Sequence, residues 1–491
     1  MPSSKQQRTP AATRAGARRP ASRAPQVRTL GARVLRKRLA DGALDSATLV
    51  GQCLERIAER EEAVGAWAWL DAEHALEQAR ARDLQRRTGR PIGALHGLPV
   101  ALKDIIDTDN VPTENGTPLD AGRVPSESAW IVRRLEAEGA VVLGKTVSTE
   151  LAFLQPARTR NPVNGAHTPG GSSSGSAAAV ADGMVPLAIG TQTGGSVIRP
   201  AAFCGTVGFK PTFGAVPRSG ILSQSPSLDT VGVFAADVEG AALLAEVLFG
   251  HDEADRATVP RPFPRLLDIA RQPPPVEPTF AFVRTPWWER ADADTRAAFA
   301  ELVGVLGERC FESGLPDRFV EAASVRERIN LAEMSRHYHH YGERDGSGAG
   351  AGGGAGDAGC GGAEAGEGER AGLSALMRET LARGRQISAH DYLAALDWPI
   401  VLNAGLDALF ERCDAVLTPA APGAAPEGLG STGDAIFNGL WTLCGTPAIT
   451  LPLFESSTGL PMGVQLVGRR GDDARLLRTA RWLVEHLEKS A

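Results

Sequence analysis

Helix-like and strand-like segments alternate along most of this chain, and that alternation limits its fold more than any other feature. SAWIVRRLEAEG, residues 128–139, has apolar residues at helical spacing and runs into AVVLGK, a short and fully apolar strand pattern. The order recurs where SAAAVADGM gives way to MVPLAIG, ending at Gly190. Upstream, from about Leu30 to Arg87, the pattern is helical throughout, with Leu49, Cys53, Ile57 and Val64 near one face of LVGQCLERIAEREEAV. GALHGLPVALKDIIDT then reads as a short buried strand or turn that ends in Lys103. Beyond Gly250, TFAFV is a strand, residues 294–312, 318–341 and 387–412 are helical, and DAVLTP, TPAITLP and MGVQLVG are strands before a closing helix, DDARLLRTARWLVEHL. Such alternation implies an α/β fold built on one large sheet.

Two segments stand apart. Residues 1–27 are rich in Arg, Ala, Pro and Ser and read as a disordered basic arm. Residues 346–372 are nearly all Gly and Ala and read as a disordered, low-complexity insertion, because glycine loses too much backbone entropy to form a packed element. The first forty residues hold eleven Lys/Arg and no Asp/Glu, which leaves 41 Lys/Arg against 58 Asp/Glu in the remainder, a net of −17. A body this acidic argues against nucleic acid as the main ligand. No run of 18 apolar residues occurs in the sequence, so no membrane span is expected. The six cysteines are scattered without a CxxC pair and read as free thiols, which implies a cytoplasmic location.

Three motif matches compete for the chemistry. Gly139–Thr146 fits the spacing of a phosphate-binding loop, but Ala-Val-Val-Leu between its glycines is a stiff strand sequence that cannot turn its N–H groups inward. Gly171-Ser172-Ser173-Ser174-Gly175 fits a nucleophile elbow, yet a loop with two prolines precedes it instead of a strand. His337, His339 and His340 lack a spaced Cys or Asp partner nearby, so they read as a helical surface and no metal or cofactor is expected.

The third match is a constellation of Lys103, Ser172 and Ser196. Each has an ordinary alternative: a solvated lysine, a linker serine and a turn serine. Lys103, however, sits in the apolar stretch GLPVALKDII, where burial would lower its pKa until it could act as a general base. Ser196 follows Thr193-Gly194-Gly195, whose small side chains let backbone N–H groups approach a substrate.

The block Thr168–Gly214, with its G-T-x-T-G-G-S and G-F-K-P-T elements, resembles the amidase signature family. HGLPVALKDIIDT, GAVVLGKTVSTELAF, GTPAITLP and GLPMGVQLVG resemble further family segments in the same order, covering Leu30 to the C-terminus. The resemblance implies a single large mixed β-sheet flanked by helices on both faces, with 28–491 forming one domain. It implies a Ser–cis-Ser–Lys triad: Ser196 as nucleophile, Ser172 as bridging serine after a cis peptide, and Lys103 as base. The N–H groups of Thr193, Gly194, Gly195 and Ser196 would form the oxyanion hole, and residues 315–445 would line the acyl pocket. The implied activity is hydrolysis of a small-molecule carboxamide to carboxylate and ammonia or amine through an acyl-enzyme, with no cofactor; a homodimer is left open. The alternatives are the glutaminase subunit of a tRNA-dependent amidotransferase and a catalytically silent binding protein on this fold. One departure concerns the support of the site: Gln192 stands where the family commonly has Asp, and the following arginine is shifted by one place to Arg199, as though an acid–arginine pair had changed together.

Overall fold

The structure is a computed structural model that describes residues 30–345 and 372–490. The arm at 1–27 and residues 346–371 of the Gly/Ala-rich insertion lie outside the described residues. Eleven strands are described: β1 (Trp67–Leu70), β2 (Pro99–Lys103), β3 (Val141–Thr146), β4 (Leu187–Gln192), β5 (Val207–Lys210), β6 (Thr230–Ala235), β7 (Phe280–Val283), β8 (Cys310–Ser313), β9 (Ala415–Pro419), β10 (Ala448–Glu455) and β11 (Pro461–Val467). They form one sheet in the order β1-β3-β2-β4-β6-β5-β10-β11-β9-β7-β8. The sheet is mixed: β2 runs parallel to β3 and β4, β7 runs parallel to β8 and β9, and the remaining pairs are antiparallel.

Side-chain alternation explains why the inner strands, β7 among them, are apolar on both sides. Phe280 and Phe282 of β7 enter one core with Val464 and Leu466, while Ala281 and Val283 enter a second core with Ile198, Trp441 and Val467. All six residues of β4 are buried, as expected of a strand covered on both faces. Helix Val238–Leu248 lies on the central strands, as do helices Ser174–Ala181 and Ile198–Cys204. The last of these approaches closely because two facing positions lack side chains: a Cβ on Gly208 would lie 2.6 Å from the Ala201 Cβ, and one on Gly463 would lie 2.7 Å from the Ala202 Cβ.

The structure differs from the sequence reading in three places. Residues 30–87 are not all helical, since β1 interrupts them and pairs antiparallel with β3 at the sheet edge. The helix expected over 294–312 ends at Leu306, where Gly307 adopts φ +53° and turns the chain into β8. VGFK and TVGVFA are strands although each contains a glycine, which weakens a strand pattern in sequence. Among the described residues, helix Ala389–Phe410 is long and apolar enough by composition to cross a membrane. It packs Leu402, Leu406, Leu409 and Phe410 into the second core and leaves Leu393, Ile400 and Val401 exposed.

Candidate active site

The site is built at the carboxyl ends of parallel strands β2 and β4, the edge where open α/β sheets bind ligands. Lys103 is the last residue of β2 and its side chain is fully buried. Its Nζ lies 2.7 Å from Ser172 Oγ and 3.0 Å from Thr191 Oγ1. Burial pushes the amine down to about 7, and the charge of Asp229 works in the opposite direction. Near neutral pH a large fraction of Lys103 is therefore uncharged.

Ser172 follows a cis Gly171–Ser172 peptide and is buried. Three contacts hold this turn. The carbonyl of Ser172 accepts from the Thr149 N–H at 3.1 Å. The carbonyl of Gly171 accepts from Arg199 Nη2 at 2.7 Å, and the same nitrogen donates to Thr432 Oγ1 at 3.1 Å. The hydroxyl of Ser173 donates to the Thr191 carbonyl and accepts from the Thr191 N–H, joining the serine loop to the end of β4. Arg199 is fully buried, and burial lowers its guanidinium to about 10, still charged at neutral pH.

Gln192 and Arg199 do not pair. Gln192, at the end of β4, accepts from the N–H groups of Val197 and Ile198 through Oε1, at 2.9 and 3.0 Å. Its Nε2 donates to Thr442 Oγ1, which in turn donates to the Gly194 carbonyl at 2.8 Å. The neutral amide thus brackets the Thr193–Ser196 turn from both ends, while Arg199 braces the peptide next to Ser172. Thr193 Oγ1 donates to Asp229 Oδ1 at 2.6 Å, and Asp229 Oδ2 accepts from the N–H groups of Gln224 and Ser225. Burial raises the Asp229 carboxyl to about 6, against those hydrogen bonds.

Inside this brace, the N–H groups of Thr193, Gly194, Gly195 and Ser196 donate to no group among the described residues. Unused backbone donors beside a candidate nucleophile are the kind of group that can receive a developing oxyanion. Ser196 is partly exposed, and its hydroxyl has no hydrogen-bond partner among the described residues. The structure therefore joins Lys103 to Ser172 directly and leaves the link from Ser172 to Ser196 open. A cavity of about 150 Å³ abuts Thr191, Thr193 and Asp229. A larger depression of about 640 Å³, between Asp107, Asp120, Arg123, Tyr341 and Arg344, contains none of the candidate residues. Part of the 315–445 region does reach the nucleophile turn: Arg326 lies beside both Gly194 and Gly439, while Ala435 and Asn438 press on Gly195.

Among the described residues no group of three or more His, Cys, Asp and Glu is arranged to hold a metal ion. His339 sits beside Glu343 on the surface, and the would-be phosphate loop forms β3. Sequence reasoning missed Thr191 and Asp229. The first sits two residues before Thr193 in the same block and could have been found there; the second lies 33 positions beyond Ser196, with no local signal.

The protein-family model described as Amidase matches residues 48–477. The chain belongs to the amidase family. It is 34% identical over 481 residues to the A subunit of glutamyl-tRNA(Gln) amidotransferase from Anaeromyxobacter sp. (strain K), covering 93% of this chain and 96% of that one. The protein of the same name from Cyanothece sp. (strain PCC 7425 / ATCC 29141) is 33% identical over 458 residues, covering 89% of this chain and 93% of that protein. Among solved structures, native peptide amidase from Stenotrophomonas maltophilia superposes with a TM-score of 0.76 at 27% identity, covering 93% of this chain and 97% of that one. Membership of the amidase family makes this an amide-hydrolysing enzyme and accounts for the single mixed sheet. The named relatives fit the alternative of an amidotransferase component better than a free-standing hydrolase of linear amides.

Proposed function

We propose that this amidase cleaves a carboxamide through an acyl-enzyme on Ser196, with Ser172 and Lys103 moving the protons. The observation that carries this reading is the buried contact between Lys103 Nζ and Ser172 Oγ at 2.7 Å. A desolvated lysine without an ion pair accepts a proton near neutral pH, as a general base must. Ser196 Oγ attacks the carbonyl carbon and passes its proton to Ser172 Oγ, whose own proton moves to Lys103 Nζ. The open Ser172–Ser196 link closes as substrate enters, because catalytic hydrogen bonds are commonly long before the substrate complex forms. The negative oxygen is received by the free N–H groups of the Thr193–Ser196 turn. As the C–N bond breaks, Ser172 donates a proton to the departing nitrogen and regains one from Lys103. Water then attacks the ester by the reverse relay and releases the carboxylate.

For the setting of this reaction, the curated relatives favour the amidase component of a tRNA-dependent amidotransferase, which frees ammonia from the side-chain amide of glutamine. The brace built from Gln192 and Arg199 departs from the common pattern around that same site and favours the free-standing hydrolase. A catalytically silent binding protein would not require the contact of Lys103 Nζ with Ser172 Oγ so near an unpartnered Ser196 hydroxyl. The purified full chain, incubated alone with glutamine and with aliphatic and aryl amides, separates these readings. Turnover of simple amides supports the free-standing enzyme, and glutaminase activity confined to a complex supports the amidotransferase component. Absence of any acylated Ser196 under either condition contradicts the mechanism.

A further inference from the structure

Asp229, which braces Thr193, sits on a turn that a second carboxylate also grips. Ser225 stands between the two acids: its N–H donates to Asp229 Oδ2 at 2.8 Å, and its hydroxyl donates to Glu333 Oε2 at 2.5 Å. The N–H of Ser227 donates to the same Glu333 oxygen at 3.1 Å, and the Ser227 hydroxyl donates to Oε1 at 2.5 Å. Tyr392, from helix Ala389–Phe410, donates its hydroxyl to Oε1 at 2.7 Å. Three residues earlier, on the same face of helix Ala322–His337, Asn330 Oδ1 accepts from Gln224 Nε2 at 2.9 Å, while the Gln224 N–H goes to Asp229. Ser225, Asp229, Asn330 and Glu333 are all buried.

Among the described residues Glu333 makes no ion pair; Arg218 and His337 act on its charge only from beyond salt-bridge range. A carboxylate held out of water by hydrogen bonds alone is costly, and a neutral side chain could fill the same space without that cost. What the charge adds is rigidity, because hydrogen bonds to an ionised acceptor are shorter and stronger than neutral ones. Asp229 passes that rigidity on in two directions. Its Oδ1 accepts from Thr193 Oγ1 at 2.6 Å, at the start of the turn with the free N–H groups, and its charge raises the Lys103 amine against burial.

We infer that Glu333 is a positioning residue for the reaction: acting through Ser225 and Ser227, it fixes Asp229 against Thr193 and Lys103 and so keeps the nucleophile turn and the base in one geometry. The inference rests on the acyl-enzyme reading above. Its test follows acylation of Ser196 by mass spectrometry, with glutamine and with butanamide, under the condition, free or in a complex, that supports turnover. The full chain is compared with Glu333→Ala, Glu333→Gln and Ser225→Ala, each checked for folding by circular dichroism. Glu333→Ala lowers the acylation rate at saturating amide about 10- to 100-fold, as expected for a small displacement at a reacting group, and leaves the half-saturating concentration nearly unchanged. Glu333→Gln, whose amide can still meet the serine hydroxyls, recovers most of the rate. Both variants lack the charge, so an acid limb of the pH–rate profile that moves to lower pH in Glu333→Ala but not in Glu333→Gln reports a displaced Asp229. Glu333→Ala combined with Asp229→Asn costs little more than Asp229→Asn alone. Ser225→Ala deletes one hydroxyl donor and shows the same changes on a smaller scale, which keeps the test decisive if Glu333→Ala does not fold. An unchanged rate in Glu333→Ala or Ser225→Ala, a slower rate with an unmoved acid limb, or additive losses in the double variant overturns this inference alone. No acylated Ser196 in the unaltered chain under either condition overturns the acyl-enzyme reading and this inference with it.

Discussion

Replacing Arg199 by methionine should separate stability from activity. The guanidinium is fully buried, one of its nitrogens binds the Gly171 carbonyl and Thr432 Oγ1, and its Nε has no partner. Methionine is of similar length and carries no charge. Its introduction leaves the Gly171 carbonyl without a donor, a cost of about 1–3 kcal/mol. It also removes the penalty of holding a charged group out of water, which amounts to several kcal/mol. These terms oppose one another, so the net change in stability should lie within about 2 kcal/mol of zero. Activity has no such compensation. The freed carbonyl belongs to the peptide that sets Ser172, and a shift of about 1 Å at a reacting group costs roughly 100-fold in rate. Differential scanning calorimetry and initial rates on one preparation test this. The expected result is a Tm within a few degrees of the parent with kcat/KM down by about two orders of magnitude. A fall in Tm and rate together, or full activity with Arg199 gone, would refute the assignment of Arg199 as the brace of the serine turn.

Asp229→Asn removes the charge that raises the Lys103 pKa, so the acid limb of the pH–rate profile should move to lower pH; an unmoved limb would detach Asp229 from the base. Gly195→Ala places a Cβ 2.4 Å from Asn438 Oδ1 and 2.8 Å from the Ala435 Cβ and should abolish activity, while Gly194→Ala meets only the movable end of Arg326 at 3.2 Å and should do less harm; rates of the two variants, compared after circular dichroism, decide the order. Stability should also vary with pH in a defined way. Lys103 and Lys210, both lowered to about 7, are largely neutral in the folded chain above that value and protonated in the unfolded chain up to the ordinary lysine range. The unfolded state then binds more protons, so stability rises with pH above 7. The thiols of Cys53, Cys413 and Cys444, each raised to about 12, stay protonated in the fold while unfolded thiols ionise, which reverses the trend above about pH 9. A Tm that falls steadily from pH 7 to 9 would contradict this account.

The parts of this fold that sequence shows best are those where one residue type has one physical meaning. The end of β2 was legible because a lysine follows four residues of an apolar strand, and burial of that lysine follows directly. The Gly/Ser loop and the Thr193–Ser196 turn were legible because glycine concentrates where backbone must approach something closely. Strands β5 and β6 were not, because Gly208 and Gly232 interrupt their patterns for the sake of contact with Val197. The departure at Gln192 and Arg199 was visible as a pair of changes, but its meaning was not. An exchanged acid–arginine pair and two separate braces give the same letters, and only the contacts to Val197, Ile198 and Gly171 distinguish them. Asp229 and Arg326 reach the site from distant segments, which no local pattern encodes.

The pH dependence of the acylation rate, followed by mass spectrometry of Ser196 in single-turnover experiments, tests the role of Lys103 most directly. A neutral lysine base predicts a rate that climbs about tenfold per pH unit on the acid side and levels off near the value of about 7 to which burial pushes Lys103, with no acylation in Lys103→Ala. An acylation rate that is flat from pH 5.5 to 9, on the order of the range a lysine of this kind must cross, or one that persists in Lys103→Ala, would contradict it.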